Sequence, residues 1–193
     1  MPKKKLFSTK MIVTMALLIA MSIILERFLS FMPTENIRIT FGSLPIIIAG
    51  LLFGPIAGGI VGLFADFLGT TLFSPFAWFV PMALTPVIMG VVPPLIGMLL
   101  KKRTHLVTFI AMILPAEILG PMLWSNVSLN WLYGSPFLPN LLFRAPFKVA
   151  IAVVDILLIF MLYKSGLFRA LGLDRYGGKK DELRGNAAIH PQR

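Results

Sequence analysis

The sequence predicts an all-α integral membrane protein, a bundle of six transmembrane helices with both termini in the cytoplasm. Three observations predict it. Of 193 residues, 57% are hydrophobic and only 13% charged, about half the roughly 25% charged share of a soluble domain. The mean hydropathy is +0.86. The net charge of +10 would suggest nucleic acid in a soluble chain; in so apolar a chain it is better explained by location. The absence of cysteine excludes disulfides, thiolate metal sites and cysteine nucleophiles.

A spanning helix needs about 20 mostly apolar residues. The first segment, 9–31, is too long for a cleaved signal peptide and no small-residue cleavage site follows it, so it reads as a retained helix. Residues 33–41 form a polar connection, and a second apolar segment covers 39–53. Gly54-Pro55 suits a helix stop followed by a helix with proline at its first position. The third helix, 55–73, is rich in glycine and is broken by Ser74-Pro75. The fourth, 78–100, contains Pro81, Pro86, Pro93 and Pro94 and should be kinked or interrupted. Lys101-Lys102-Arg103 closes it. The fifth covers 104–132, Tyr133-Gly134-Ser135-Pro136 is a turn, and the sixth covers 138–163. The tail, 164–193, is polar, and the whole chain reads as a single membrane domain.

Six spans place both ends on one side of the membrane. With that side cytoplasmic, the N-terminal tail, the 101–105 loop and the C-terminal tail hold fourteen of the 18 basic residues. That bias is the one positively charged cytoplasmic loops show. The exceptions are Arg27, Arg38, Arg144 and Lys148, all in outer loops or outer halves of helices.

Ionisable groups inside a bilayer cost at least about 2.5 kcal/mol each at its centre and demand a partner or a task. Here they are Asp66, Glu117, Arg144, Lys148 and Asp155. Arg144 and Lys148 are four apart and share a helix face. They suit either internal pairing with Asp66 or Glu117 or the docking of an anionic ligand. Asp66 continues the series Gly54, Gly58, Gly62, whose small residues at intervals of four let helices approach closely. It therefore points into the bundle, as a structural ion pair or a ligand contact. Glu117 and Asp155 lean towards structural roles. Trp78, Trp131 and Tyr133 sit where an interfacial aromatic belt is expected. Trp124 and Trp131 share a face with Ser128, a mixture that could stack a flat ring. Ala16 and Ala20, four apart, suit close packing. No zinc-protease His-Glu-x-x-His, no phosphate-binding lysine loop and no Gly-x-Ser-x-Gly elbow is present. The chain therefore reads as a non-enzyme with no bound metal or cofactor.

Several stretches carry a family resemblance. They are Ala16-x-x-x-Ala20, Arg38-Ile39-Thr40-Phe41-Gly42-Ser43-Leu44-Pro45, Ala49 to Pro55, and Gly62-Leu63-Phe64-Ala65-Asp66-Phe67-Leu68-Gly69. Leu123-Trp124, Leu132-Tyr133-Gly134 and the pair Arg144 and Lys148 follow in the same order. Together they resemble the substrate-binding S-component of energy-coupling factor (ECF) vitamin transporters, most closely the folate-specific branch, over about residues 9–165.

The resemblance implies a vitamin pocket near the outer surface, between the helices and the loop joining the first two. It also implies docking on a module of one transmembrane coupling protein and two ATPase subunits, which spend the ATP, and a toppling of the S-component that delivers the vitamin inward. Ala16 and Ala20 would make the docking contact. Folate has a flat pterin and two carboxylates. The expected pocket residues are Arg38 and Phe41 from the loop, Asp66 and Trp78, Trp124 and Trp131 for stacking, and Arg38, Arg144 and Lys148 for carboxylates. The chain departs from the family pattern at Thr85-Pro86-Val87 and Val92-Pro93-Pro94-Leu95, where small residues are usual. It departs again at Ser74 to Trp78, which lacks a glycine run. Rival readings are an S-component for pantothenate or a queuosine precursor, and a cell-envelope scaffold protein.

Overall fold

The computed structural model describes residues 9–34, 37–74, 77–100 and 106–165. The basic tails and the 101–103 cluster on which the orientation argument rests lie outside these residues. The described chain runs α1 (Thr9–Arg27), β1 (Phe31–Thr34), β2 (Ile37–Ile39), α2 (Ser43–Phe53), α3 (Pro55–Phe73) and α4 (Val80–Leu99). It continues through α5 (Leu106–Glu117), a π-helical stretch (Ile118–Trp124), α6 (Ser125–Tyr133) and α7 (Phe137–Lys164).

Five helices are long and apolar enough to cross a membrane: α1, α3, α4, the continuous 28-residue rod from Leu106 to Tyr133, and α7. The second segment is shorter than the expected 39–53. Its first residue, Ile39, pairs with Phe31 at the end of the first segment in an antiparallel hairpin formed largely by the expected polar connection, where Thr34 lies opposite Ile37. This hairpin also ends α1 at Arg27 rather than at residue 31, and it is the departure from an all-α chain. Thr34, Ile37 and Ile39 are β-branched, which suits a pleated ribbon. The remaining α2 has 11 residues, or about 16 Å of helix, half of a hydrocarbon core of about 30 Å. Ten of its residues are buried, so protein rather than lipid surrounds it.

The expected close approach through glycine is present, with one change of role. Gly58 of α3 faces Gly90 of α4 and Gly50 of α2. A Cβ on Gly58 would overlap the Gly90 carbonyl and lie 2.7 Å from the Gly50 Cα. Gly62 meets the backbone of Pro86 in the same way. The Gly90 carbonyl has no intrahelical N–H from residue 94, because Pro94 has none. It faces the two glycine backbones instead, where Cα–H groups are weak donors. Gly54 does not join this face. Its φ of 101° turns the chain between α2 and α3, a conformation that favours glycine.

Helix α4 is unbroken from Val80 to Leu99 despite Pro86, Pro93 and Pro94. The interruption falls in the fifth span. There Pro115 and Pro121 precede and enter the π-helical turn, whose end is marked by the Ser125 N–H donating to the Gly120 carbonyl. Pro121 cannot donate to the Glu117 carbonyl, and a single wide turn absorbs the lost bond. The core is built from Ile47 and Leu51 on α2, Val61 on α3, Met89 on α4, Ile113 on α5 and Ile159 on α7, all at 2% exposure or less.

Gly58→Ala should cost about 1–3 kcal/mol through backbone overlap, read as a lowered thermal midpoint in detergent. Gly69→Ala, whose new Cβ would meet nothing nearer than 3.5 Å, should leave that midpoint unchanged or raise it. Equal midpoints would show that the glycine junction is not close-packed.

Candidate functional site

Glu26, Asp66, Glu117, Arg144 and Lys148 gather around one cavity beside the connection that follows the hairpin. A second cavity adjoins it. The first, of about 200 Å³, is lined by Glu26 of α1, the Thr40–Ser43 connection, Asp66 of α3, Thr85 of α4, Glu117 at the entry of the π-helical turn, and Arg144 and Lys148 of α7. The second, of about 220 Å³, lies among Arg27, Thr70, Trp78 and Tyr133. The two share Glu26, Asp66 and Met82 in their walls. Each approaches the roughly 300–1,000 Å³ typical of small-molecule pockets.

Spacing on α7 organises one wall. Arg144, Lys148, Ile151 and Asp155 recur at intervals of three or four and so share a face. The first three line the cavity. Asp155 lies beyond it with 0% exposure. The Ser43 hydroxyl donates to Asp155 Oδ2 at 2.6 Å, which ties the start of α2 to α7. The Asp155 carboxyl also meets that of Glu117. Lys148 stands in the field of Glu117 first, then of Arg144, Asp155 and Glu26. Its charge is thus opposed from within the protein. Arg144 is different: among the described residues no carboxylate pairs with it, and its Nη1 is buried without a hydrogen-bond partner.

Two more atoms of the first cavity's wall share that condition, Thr85 Oγ1 and Glu117 Oε1. Buried polar atoms are nearly always paired, so each orphan demands a reason. Here a cation, a hydroxyl and a carboxylate oxygen, all unpaired, face one cavity. Asp66, by contrast, is engaged: its Oδ2 accepts from Trp78 Nε1 at 2.9 Å. Trp78 also meets Phe67 edge to face at 5.1 Å. Arg27 donates to the Thr70 hydroxyl at 2.9 Å in the second cavity.

The residues expected to bind ligand are therefore distributed unevenly. Asp66, Arg144 and Lys148 line the first cavity, and Asp66 and Trp78 line the second. Phe41 packs half-buried against the hydrophobic core, although its neighbours Thr40, Gly42 and Ser43 reach the cavity. Arg38 lies in β2, and its side chain lies outside the described residues. Trp124 and Trp131 contact each other edge to face, at 6.2 Å and 78°, and lie in the wall of neither cavity. Trp124 donates to the Pro81 carbonyl at 2.7 Å, a bond that Ser128 supports at 3.3 Å. Trp131 is 64% exposed. Ala16 and Ala20 are exposed on the outer face of α1 rather than packed inside the bundle. Thr85 entered the sequence reading only within the Thr85-Pro86-Val87 departure and not as a ligand contact, because a threonine beside a proline is unremarkable until its hydroxyl is found buried and unpaired.

Three similarities place the chain. A curated folate transporter, FolT, of Clostridium novyi (strain NT) is 45% identical to it over 65 residues, 34% of this chain and 37% of that protein. The match thus spans little more than a third of that relative's length. A crystal structure of FolT bound with folic acid superposes with a TM-score of 0.66, covering 80% of this chain and 93% of the other at 23% identity; that likeness is one of fold. Residues 10–172 match the family model of the ECF transporter, substrate-specific component, and the chain belongs to that family of membrane transport proteins.

Proposed function

We propose that this protein captures folate at the outer membrane face for ATP-driven uptake. The observation that carries the reading is the cavity wall on which Arg144 Nη1, Thr85 Oγ1 and Glu117 Oε1 are buried, unpaired and convergent. A buried cation without an internal anion costs several kcal/mol unless it is paired in use. An anionic ligand with polar ring edges supplies all three partners. Similarity to a protein named a folate transporter and to a fold solved with folic acid supports folate as that ligand.

In this reading Arg144 takes a folate carboxylate, and Arg38, in β2, is a second cation for the same tail. Lys148, opposed by Glu117 and Asp155, sets the local field. Trp78, Phe41, Asp66, Trp124 and Trp131 complete or border the pocket, with Trp78 the aromatic nearest to ligand. The short α2 serves as a sixth crossing, enclosed by protein, so both termini lie in the cytoplasm of a cell whose plasma membrane holds the bundle. The exposed Ala16 and Ala20 give α1 a low surface for the transmembrane coupling protein, whose two ATPase subunits hydrolyse the ATP.

Titrating purified protein with folic acid should quench tryptophan fluorescence saturably, and mass spectrometry should find a folate carried through purification. Saturable quenching by pantothenate or another vitamin, and none by folic acid, overturns the folate assignment. Arg144→Ala should weaken folate binding about 10- to 150-fold, the equivalent of roughly 1.5–3 kcal/mol for a charged hydrogen bond. Val153→Ala, on the exposed side of the same helix, should leave it unchanged. Ala16→Leu should spare folate binding but abolish co-purification with the coupling protein; a module that still co-purifies places the docking face elsewhere.

A further inference from the structure

We propose that Glu117 is a specificity-determining residue that reads an N–H donor on the ligand's ring edge, so the pocket selects by the ring as well as by the carboxylates. The inference rests on the folate reading and extends it. Glu117 is 6% exposed and lines the first cavity. Its Oε1 has no hydrogen-bond donor. Lys148 is nearby, but it is shared with Asp155. Asp155 is not an equivalent candidate: it accepts from Ser43 at 2.6 Å, is fully buried and does not reach the cavity wall. Asp66 is already engaged by the Trp78 indole. Among these three carboxyl groups, Glu117 alone combines burial, a free oxygen and a place on the wall.

The local chain explains its aim. Glu117 is the last residue of α5 and leads into the π-helical turn. That turn shifts the register of all that follows by a fraction of a helical turn, a device found often at functional sites. Gly120 within it packs against the Thr85 carbonyl, 3.2 Å from where a Cβ would sit, so α4 and the π-helical turn close together behind Thr85 and Glu117. Glu117 meets the Asp155 carboxyl through its other oxygen, so a proton shared by the two lies there and Oε1 remains an acceptor. The ligand group opposite must therefore donate. The amino group of an amino-pyrimidinone edge, as in a pterin, offers one N–H to that one free oxygen. A ligand without such an edge leaves Oε1 buried and unpaired. Sites built to hydrogen-bond a donor reject analogues lacking it far more strongly than apolar pockets reject a missing methylene.

The test compares folic acid with its 2-desamino-2-methyl analogue on wild-type protein, Glu117→Leu and Arg144→Ala. Wild-type protein should prefer folic acid by about 10-fold or more, the scale of a hydrogen bond to a charged group. Glu117→Leu, which removes both oxygens, should shrink that preference to within about 3-fold, and saturable binding of either ligand reports that the variant is folded. Arg144→Ala should bind both ligands more weakly and keep the preference. Should Glu117→Leu not fold, Glu117→Asp, shorter by one methylene, is expected to lose most of the preference. A preference that persists undiminished in the Glu117 variants, or that is missing from wild-type protein, overturns the role of Glu117 and leaves the folate reading intact. Failure of wild-type protein to bind either pterin overturns both.

Discussion

The glycine junction where α2, α3 and α4 touch backbone to backbone is the constraint on which the rest depends. Gly50, Gly58 and Gly90 meet so closely that no side chain fits between them. In lipid no hydrophobic force drives helices together, since the surrounding chains are as apolar as the helices; packing and polar contacts must do it. Here three helices gain extensive van der Waals contact. The carbonyl that Pro94 leaves without its helical donor is turned onto the glycines rather than onto lipid. The junction also fixes depth. Asp66 lies two turns along α3 from Gly58, and Thr85 lies five residues before Gly90 on α4, so both come to the same end of the bundle. Gly62 against Pro86 carries the close approach up to the cavity floor.

A second constraint acts on the charges. Burial of Glu117 and Asp155 beside Lys148 and Arg144 is costly unless the charges offset one another. The cluster joins three elements: Ser43 opens α2, Glu117 closes α5, and the remaining three lie on one face of α7. The start of α2 is thereby tied to α7 directly after the hairpin. Within the cluster the offset is incomplete. Lys148 is opposed by carboxylates and Arg144 is not, although the two share a face and a charge. The short α2 makes this arrangement possible. Enclosed by protein rather than lipid, it begins at Ser43 in the wall of the first cavity, directly after the hairpin.

Much of the fold was legible in the chain. The spans from 55–73 onward fall within a residue or two of their expected bounds, because each is a long apolar run stopped by proline, glycine or lysine. The Gly58 and Gly62 face of α3 could be read from spacing, and so could the shared face of Arg144 and Lys148. The second segment was misread over its first four residues. Of Ile39, Thr40, Phe41 and Gly42 only the first is in a strand, and four residues are too few for periodicity to separate strand or turn from helix. The four prolines of α4 suggested a kinked or interrupted helix; α4 is not interrupted, and the irregular turn formed in the next span. A proline's local cost is plain in a sequence, but the neighbours that absorb it are not. The tryptophans mark the limit most clearly. Trp124 and Trp131 lie seven apart and do share a face, but there they meet each other, with Trp124 bonded to α4 and Trp131 largely exposed.

The sequence by itself determined that this chain lives in a membrane, that its helices lie where the apolar runs lie, and which few ionisable residues those runs carry. Those properties are local: transfer of apolar side chains from water, the 3.6-residue period and the reach of a proline act within a few turns of chain. Only the tertiary structure decided which of the buried charges are answered and which are left over. Arg144 and Lys148 are alike by type, spacing and helix. They differ because Glu117 and Asp155, one 31 residues upstream on another helix and the other seven residues downstream, stand beside Lys148 and leave Arg144 without a partner. Pairing is a matter of distance in three dimensions, and the packing of α5 against α7 sets that distance.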